Sequence, residues 1–360
     1  MSKQKAAPSR SVPNPQTTAK SRYRRGGVNE RLVITTGCPS GIGPEISVRS
    51  AALAEGLPPV LVGDFGTLLE AAELVGVPRQ RLVKLSALGT RMDAIAVVEA
   101  GEVLNPKDRR AGAPSKLSGR AQLAYINAGY QLVKSGGLGA LVTAPVNKAV
   151  ISGSGARGGA RFIGHTEWLE ALDGAPFSVM CFWAPKLVSS LVTTHLALSR
   201  VPRALNATWI AEVVVSTATF LRRIGQMRPK VVVCSLNPHA SEAGMFGREE
   251  AEAISPGIAL AVERLGKRAQ VLGPLGAETA FRKAYAGEYS AVVAMYHDQA
   301  TIPMKLVAFG QAVNVTLGLS IDRTSVDHGT AYDIAWQNRA DITGMQSALS
   351  LAARLAQART

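Results

Sequence analysis

Arg31-Leu-Val-Ile-Thr-Thr36 is a short β-branched run that stops at a glycine-rich turn, Gly37-Cys-Pro-Ser-Gly-Ile-Gly43. Runs of the same kind recur at 58–63, 93–98, 140–144, 187–194, 230–236, 290–295 and 312–317. Each has strand length and strand composition. Between them, apolar residues return every three or four positions. Leu123, Ile126, Tyr130 and Val133 form one such set, and Ile210, Val213, Thr217 and Phe220 another. That spacing lays each set along one face of a helix. Strands alternating with helices predict an α/β fold with a largely parallel sheet. The length beyond residue 30 predicts two lobes with a cleft, where ligands bind in such folds.

The chain has 360 residues, 47% hydrophobic and 18% charged, which excludes a disordered protein and allows a large core. No apolar run approaches the roughly 18 to 20 residues of a membrane helix. Cys38, Cys181 and Cys234 lie far apart, which excludes a disulfide framework and fits a cytoplasmic setting. The net charge is +14, and much of it is local. Residues 1–30 hold seven basic residues against Glu30, and no apolar periodicity. They read as a disordered basic tail preceding a two-lobed region over 31–360. Pro8, Pro13 and Pro15 spoil the amphipathic helix of a mitochondrial presequence, and no apolar stretch makes a signal peptide. No specific nucleic-acid partner is expected.

The five histidines carry the strongest chemical signal. Three follow apolar runs in the same way: Leu191-Val-Thr-Thr-His195, Val231-Val-Val-Cys-Ser-Leu-Asn-Pro-His239 and Val292-Val-Ala-Met-Tyr-His297. In an open α/β sheet the carboxyl ends of strands form the ligand crevice. Three imidazoles delivered there suit one divalent metal, zinc first, with a position left for substrate. The plainer alternative is that each imidazole only bonds locally at its strand end.

Other polar groups gather around these histidines. Gly164-His-Thr-Glu167 opens an amphipathic stretch, where Thr166 and Glu167 suit a helix cap. Asp298 follows His297 and suits either a cap or an acceptor that orients an imidazole. Lys148 closes Thr143-Ala-Pro-Val-Asn-Lys148 just after a strand, on the crevice side. Lys305 and Arg323 flank Asn314 across the next strand, and together they would make an anion pocket. The glycine loop has neither the dinucleotide fingerprint nor a P-loop pattern.

Taken in order, these stretches resemble the bacterial 4-hydroxythreonine-4-phosphate dehydrogenase family of vitamin B6 biosynthesis. The matching segments include Gly41-Ile-Gly-Pro-Glu45, Thr143–Lys148, Gly164–Glu167, Thr193-Thr-His195 and Leu236-Asn-Pro-His-Ala240. They continue through Gly247-Arg-Glu-Glu250, Gly273-Pro-Leu275, Ala294-Met-Tyr-His-Asp-Gln299 and Asn314–Leu319 to Arg323-Thr-Ser-Val-Asp-His-Gly-Thr-Ala331. The segment from His328 to Ala335 also resembles the cofactor-binding element of isocitrate and isopropylmalate dehydrogenases. The resemblance implies two α/β/α lobes of that wider fold and a homodimer with shared active sites. It implies a divalent metal, zinc or else magnesium or cobalt, on His195, His239 and His297, with His297 from the partner subunit. It implies that His165, Thr166, Lys305, Asn314 and Arg323 hold a phosphorylated substrate. Asp327, His328, Gly329 and Thr330 would meet NAD, or NADP in its place. The implied reaction is oxidation of 4-phosphohydroxy-L-threonine at C3, then decarboxylation to 3-amino-2-oxopropyl phosphate. Lys148 is the candidate for proton transfer.

Three places depart from the family pattern. Cys38 stands where an acidic residue is usual. Glu278 stands where aspartate is usual. Trp336-Gln-Asn338 replaces a segment that normally carries two glycines. These departures leave room for a relative acting on a four-carbon sugar-acid phosphate of threonate or erythronate type. They also leave room for a cis-dihydrodiol dehydrogenase, or for a binding protein without turnover. A dihydrodiol carries no phosphate, so Lys305, Asn314 and Arg323 argue against it.

Overall fold

The computed structural model describes residues 31–136 and 138–358, so the basic tail read at 1–30 lies outside the described residues. Twelve strands alternate with helices. The strands are β1 (Val33–Thr35), β2 (Val60–Val62), β3 (Leu82–Lys84), β4 (Ile95–Val98), β5 (Leu141–Thr143), β6 (Val179–Ala184), β7 (Leu187–Leu191), β8 (Lys230–Cys234), β9 (Gln270–Leu275), β10 (Ala291–Ala294), β11 (Val313–Leu317) and β12 (Arg323–Val326). The helices are α1 (Gly43–Ala52), α2 (Phe65–Leu74), α3 (Lys116–Lys134), α4 (Lys148–Ser152), α5 (His165–Asp173), α6 (Val201–Ala204), α7 (Ala207–Arg223), α8 (Ser255–Leu265), α9 (Ala277–Tyr285), α10 (His297–Ala308) and α11 (Thr343–Gln357).

All twelve strands join one sheet in the order β3-β4-β2-β1-β5-β12-β11-β6-β7-β10-β8-β9. The sheet is largely parallel, as the sequence predicts. The pairings β12–β11, β11–β6 and β6–β7 are antiparallel and the rest parallel. Three successive reversals leave the block from β3 to β12 running opposite to the block from β7 to β9. The buried strand residues are mostly Val, Ile, Leu and Ala, as suits strands covered on both faces. The two predicted helical faces are buried: Leu123, Ile126, Tyr130 and Val133 on α3, and Ile210, Val213, Thr217 and Phe220 on α7. Among the described residues, no single helix is long and apolar enough to cross a membrane.

Four strands escape the sequence reading: β3, β6, β9 and β12. Two of them, β3 and β9, lie at the sheet's edges, and β9 contains Gly273-Pro274, a pair depleted in strands. Strand β12 is Arg323-Thr-Ser-Val326, polar in three of four positions yet buried. Strand β6 is apolar throughout but lacks the β-branched composition that marks the others.

One carboxylate ties the end of the helix that begins at His165 to the approach of β12. Asp173, at the end of α5, accepts from Ser320 N at 2.7 Å and from Lys134 Nζ and Tyr130 Oη at 2.9 Å each; the Ser320 hydroxyl also bonds it. Burial alone would raise its pKa, but these hydrogen bonds outweigh burial and hold it well below the ordinary carboxylate range. A depressed folded pKa contributes stability that is present above the unfolded value near 3.9 and is lost as pH falls through the folded value. Asp173→Asn should therefore lower stability at pH 7 by about 1 to 3 kcal/mol in urea titrations. The difference from the parent chain should shrink as pH falls below about 4. A difference that stays constant with pH would rule out the charge as its source.

Candidate functional site

The site is built around β12. It pairs with β5 on one side and β11 on the other, in a register that sets Arg323 against Leu141 and Thr316. The Arg323 side chain is 2% exposed. Its Nε and Nη2 donate to Thr143 Oγ1 at 3.2 and 2.7 Å, and its Nη1 donates to Thr316 Oγ1 at 3.0 Å and, weakly, to Asn314 Oδ1 at 3.5 Å. All these acceptors are neutral. Among the described residues, no carboxylate comes within ion-pairing distance of it. Burial pulls its pKa down, and the negative charge of Glu167 partly offsets this.

Helix α5 delivers the neighbouring groups. Its N-cap, Gly164, supplies no side chain, so the first turn starts directly with His165 and Thr166. Thr166 Oγ1 lies 3.4 Å from Thr316 Oγ1, which joins it to the Arg323 acceptors. His165 Nε2 is sealed from solvent and has no hydrogen-bond partner. Burial first, then the charges of Arg323 and Lys148, hold the His165 pKa well below its ordinary value, so the ring is neutral at pH 7. A Cβ on Gly164 would stand 3.6 Å from Lys148 Nζ and 2.7 Å from Glu167 Oε2, so glycine leaves room for both. An orphaned imidazole nitrogen beside an unpaired guanidinium fits an anionic, hydrogen-bonding ligand.

Strands β7, β10 and β8 are parallel neighbours, so the three histidines that follow them leave one edge of the sheet. The structure brings two of them together, with the His195 and His297 ring centroids 5.8 Å apart. His195 Nδ1 faces Glu167 Oε1 at 3.6 Å, and His297 Nδ1 is 2.8 Å from Asp298 Oδ1. Both rings thus turn Nδ1 to a carboxylate, the arrangement that leaves Nε2 for a metal. His239 does not join them. It sits beside Phe246 and starts a run, His239 to Ala243, in which every φ is positive. Residues other than glycine rarely adopt that conformation, at about 1 to 2 kcal/mol each. The loop is held by Glu250, which accepts from Leu236 N and Asn237 N at 2.9 and 2.8 Å and from Asn237 Nδ2 at 2.9 Å. Among the described residues, no three His, Cys, Asp or Glu side chains form a metal-holding group. The donor chemistry of His195 and His297 fits a divalent metal, and His239 stands apart from the pair.

Lys305, on α10, does not join the Arg323 cluster by any direct contact. Its Nζ lies 3.8 Å from Asp327 Oδ2. Burial raises the Asp327 pKa against the opposing pull of Lys305, His328 and His297. After Asp327 the chain passes His328 and Gly329 to Thr330, whose carbonyl accepts from Ile42 N at 3.0 Å. A Cβ on Gly41 would meet that carbonyl at 2.8 Å, whereas one on Gly329 would meet nothing within 4 Å. Gly329 therefore borders open space that suits the close approach of a cofactor.

Two of the three departures meet on the first glycine loop. Cys38 Sγ is 3.4 Å from Tyr332 Oη. Trp336 and Asn338 have φ of 61° and 54°, the left-handed region that favours glycine, in the segment where the family normally carries two glycines. Here both backbone N–H groups bond the Glu45 carboxylate, and Trp336 Nε1 donates to Pro39 O at 2.9 Å. Glu278 is spent on its own helix, on Thr279 and Arg282. Sequence reasoning missed Thr143 and Thr316. The alternation of Asn314 and Thr316 on one strand face was the signal available for Thr316.

Residues 55–352 match the family described as pyridoxal phosphate biosynthetic protein PdxA. The 4-hydroxythreonine-4-phosphate dehydrogenase of Geobacter metallireducens is 40% identical over 91% of this chain and 96% of its own length. The D-threonate 4-phosphate dehydrogenase of Salmonella typhimurium is 36% identical over 90% of this chain and 98% of its own. The crystal structure of 4-hydroxythreonine-4-phosphate dehydrogenase from Klebsiella pneumoniae superposes with a TM-score of 0.78 at 36% identity, covering 91% of this chain and all of that one. The chain accordingly belongs to the PdxA family of oxidoreductases, whose members have the isocitrate/isopropylmalate dehydrogenase-like fold.

Proposed function

We propose that the protein oxidises the C3 hydroxyl of 4-phosphohydroxy-L-threonine and releases carbon dioxide, yielding 3-amino-2-oxopropyl phosphate. The observation that carries this reading is the buried Arg323 guanidinium, held only by neutral acceptors beside the unpartnered His165 Nε2. A substrate phosphate supplies the missing charge. Arg323 meets it with parallel donors, Thr166 and Asn314 add neutral contacts, and Lys305 adds a point charge once it turns from Asp327. Fixing the phosphate places C3 for reaction. Lys148 takes the proton of the C3 hydroxyl at its Nζ.

His195, His239 and His297 would hold the divalent metal, zinc or else magnesium or cobalt, which would supply Lewis-acid polarisation of the oxygen on C3. Asp327, His328, Gly329 and Thr330 would border the nicotinamide cofactor, NAD or NADP, which would supply the hydride acceptor. The sheet segments on either side of the antiparallel strands form the two lobes. The three cysteines are free and buried, in keeping with a cytoplasmic enzyme.

The active unit in this reading is a homodimer, because one chain brings together only two of the three histidines. Ile302, Leu306 and Phe309, exposed by 67, 83 and 82% on or next to α10, supply apolar surface for a partner. The pairing of His195 with His297 makes His239 the ligand to cross, whereas the family resemblance implies His297. Single His→Ala variants should lose turnover and bound metal. Mixed dimers of His195→Ala with His239→Ala subunits should regain activity if His239 crosses, and of His195→Ala with His297→Ala if His297 does. Recovery in neither mixture, with mixed dimers demonstrably formed, would end the shared site.

Steady-state assays with 4-phosphohydroxy-L-threonine, D-threonate 4-phosphate and D-erythronate 4-phosphate test the substrate. The first should give the highest kcat/KM. Arg323→Ala should reduce kcat/KM at least about tenfold, since a lost charge-assisted contact to a desolvated phosphate costs roughly 2 to 5 kcal/mol. Arg323→Lys should recover only part. With a dephosphorylated substrate the effect should largely vanish. Equal proportional losses with and without the phosphate would make Arg323 a structural residue.

A further inference from the structure

We infer that Tyr332 is a positioning residue for Lys148 and acts through the side chain of Asn147. The inference rests on the reading of Lys148 as the group that takes the substrate proton. Lys148 is the first residue of α4, a helix of 5 residues. So short a helix gains little from its own cooperativity, so its direction depends on how its start is fixed. Asn147 is that start. Its Oδ1 accepts from Val150 N at 3.0 Å, its backbone N donates to Gln122 Oε1 at 2.8 Å, and its Nδ2 donates to Tyr332 Oη at 3.0 Å. Gln122 is itself buried and anchored to Ser118 O at 3.1 Å.

The amide of Asn147 has one satisfactory orientation. Turning it over would set Nδ2 against the Val150 donor and break the cap. Tyr332 Oη is the partner that the amide nitrogen finds, and phenylalanine at 332 would leave it none there. Tyr332 is fixed in turn by Cys38 Sγ at 3.4 Å. It stands two residues beyond Thr330, whose carbonyl is pinned by Ile42 N. One phenol therefore links the segment that borders the cofactor to the turn that presents Lys148 beside Gly164 and His165. A proton-transfer group needs its position fixed closely relative to the bond that the cofactor attacks. Tying both to one hydroxyl meets that need.

The test uses the full chain with metal and cofactor. Tyr332→Phe should lower kcat about tenfold, the scale of one lost hydrogen bond expressed in the reacting complex, with KM for substrate and cofactor nearly unchanged. In a Lys148→Ala background the same change should cost little further, because the two act as one unit. Separately, the rate at which an amine-directed acylating reagent labels Lys148, read by peptide mass spectrometry against Lys305 as internal control, should change in Tyr332→Phe. Unchanged labelling would overturn the positioning role whatever the kinetics. Changed labelling with an active Lys148→Ala variant would keep Tyr332 as the positioner and refute Lys148 as the proton acceptor. A KM increase with kcat intact would make Tyr332 a binding residue and overturn the inference.

Discussion

A guanidinium buried in the middle of a sheet without a carboxylate is the constraint on which the rest of the site depends. Taking a cation out of water costs several kcal/mol, and neutral hydroxyls return only part of it. The chain meets this cost with Thr143 on β5 and Thr316 on β11, and only the insertion of β12 between those strands puts both hydroxyls within reach of Arg323. A carboxylate partner would have stabilised the fold more and left nothing for a ligand. Leaving the charge open makes the pocket ready for an anion, in the way active sites accept local strain for preorganisation.

The α/β alternation was legible in the sequence because most of the strands are covered on both faces and read as uninterrupted apolar runs. The helical faces of α3 and α7 were legible for the converse reason, a clean one-sided period. Strand β12 was not, because its side chains serve the pocket instead of the core: Arg323, Thr324 and Ser325 are polar and buried together. Arg323 itself was found through its motif. Its two hydroxyl partners come from strands far away in sequence, and periodicity cannot show which distant strands will be neighbours. The reversal between the two parallel blocks was equally hidden, since β6 enters the sheet as an unmarked apolar run.

The histidines show the same limit at the next level. Equal placement after three strands predicted convergence, and the sheet does set those strands side by side. Convergence of side chains is a separate matter, decided by the loops. His195 and His297 leave their strands by short paths and meet, whereas His239 is carried into a left-handed turn anchored by Glu250. A loop that holds five consecutive non-glycine residues at positive φ stores strain that surrounding contacts must outweigh. Glu250 anchors the base of the loop, Ser241 accepts from Phe246 N within it, and Met245 and Phe246 at its tip are exposed.

The departures at Cys38, Trp336 and Asn338 look unrelated in the sequence, because nearly 300 residues separate them. In the fold they meet on one seam. Trp336 and Asn338 occupy left-handed positions that glycine would take freely, so each substitution adds strain. The seam gains in exchange: the indole N–H finds Pro39 O, and Cys38 gives the Tyr332 hydroxyl a neutral neighbour where a carboxylate is usual. A carboxylate at 38 would attract the tyrosine proton strongly and bring a buried charge to the seam. A thiol makes the weaker contact and adds no charge, so the phenol sits between two neutral partners, Cys38 Sγ and Asn147 Nδ2. One phenol, held between Cys38 and Asn147, thus joins the first glycine loop to the turn that carries Lys148.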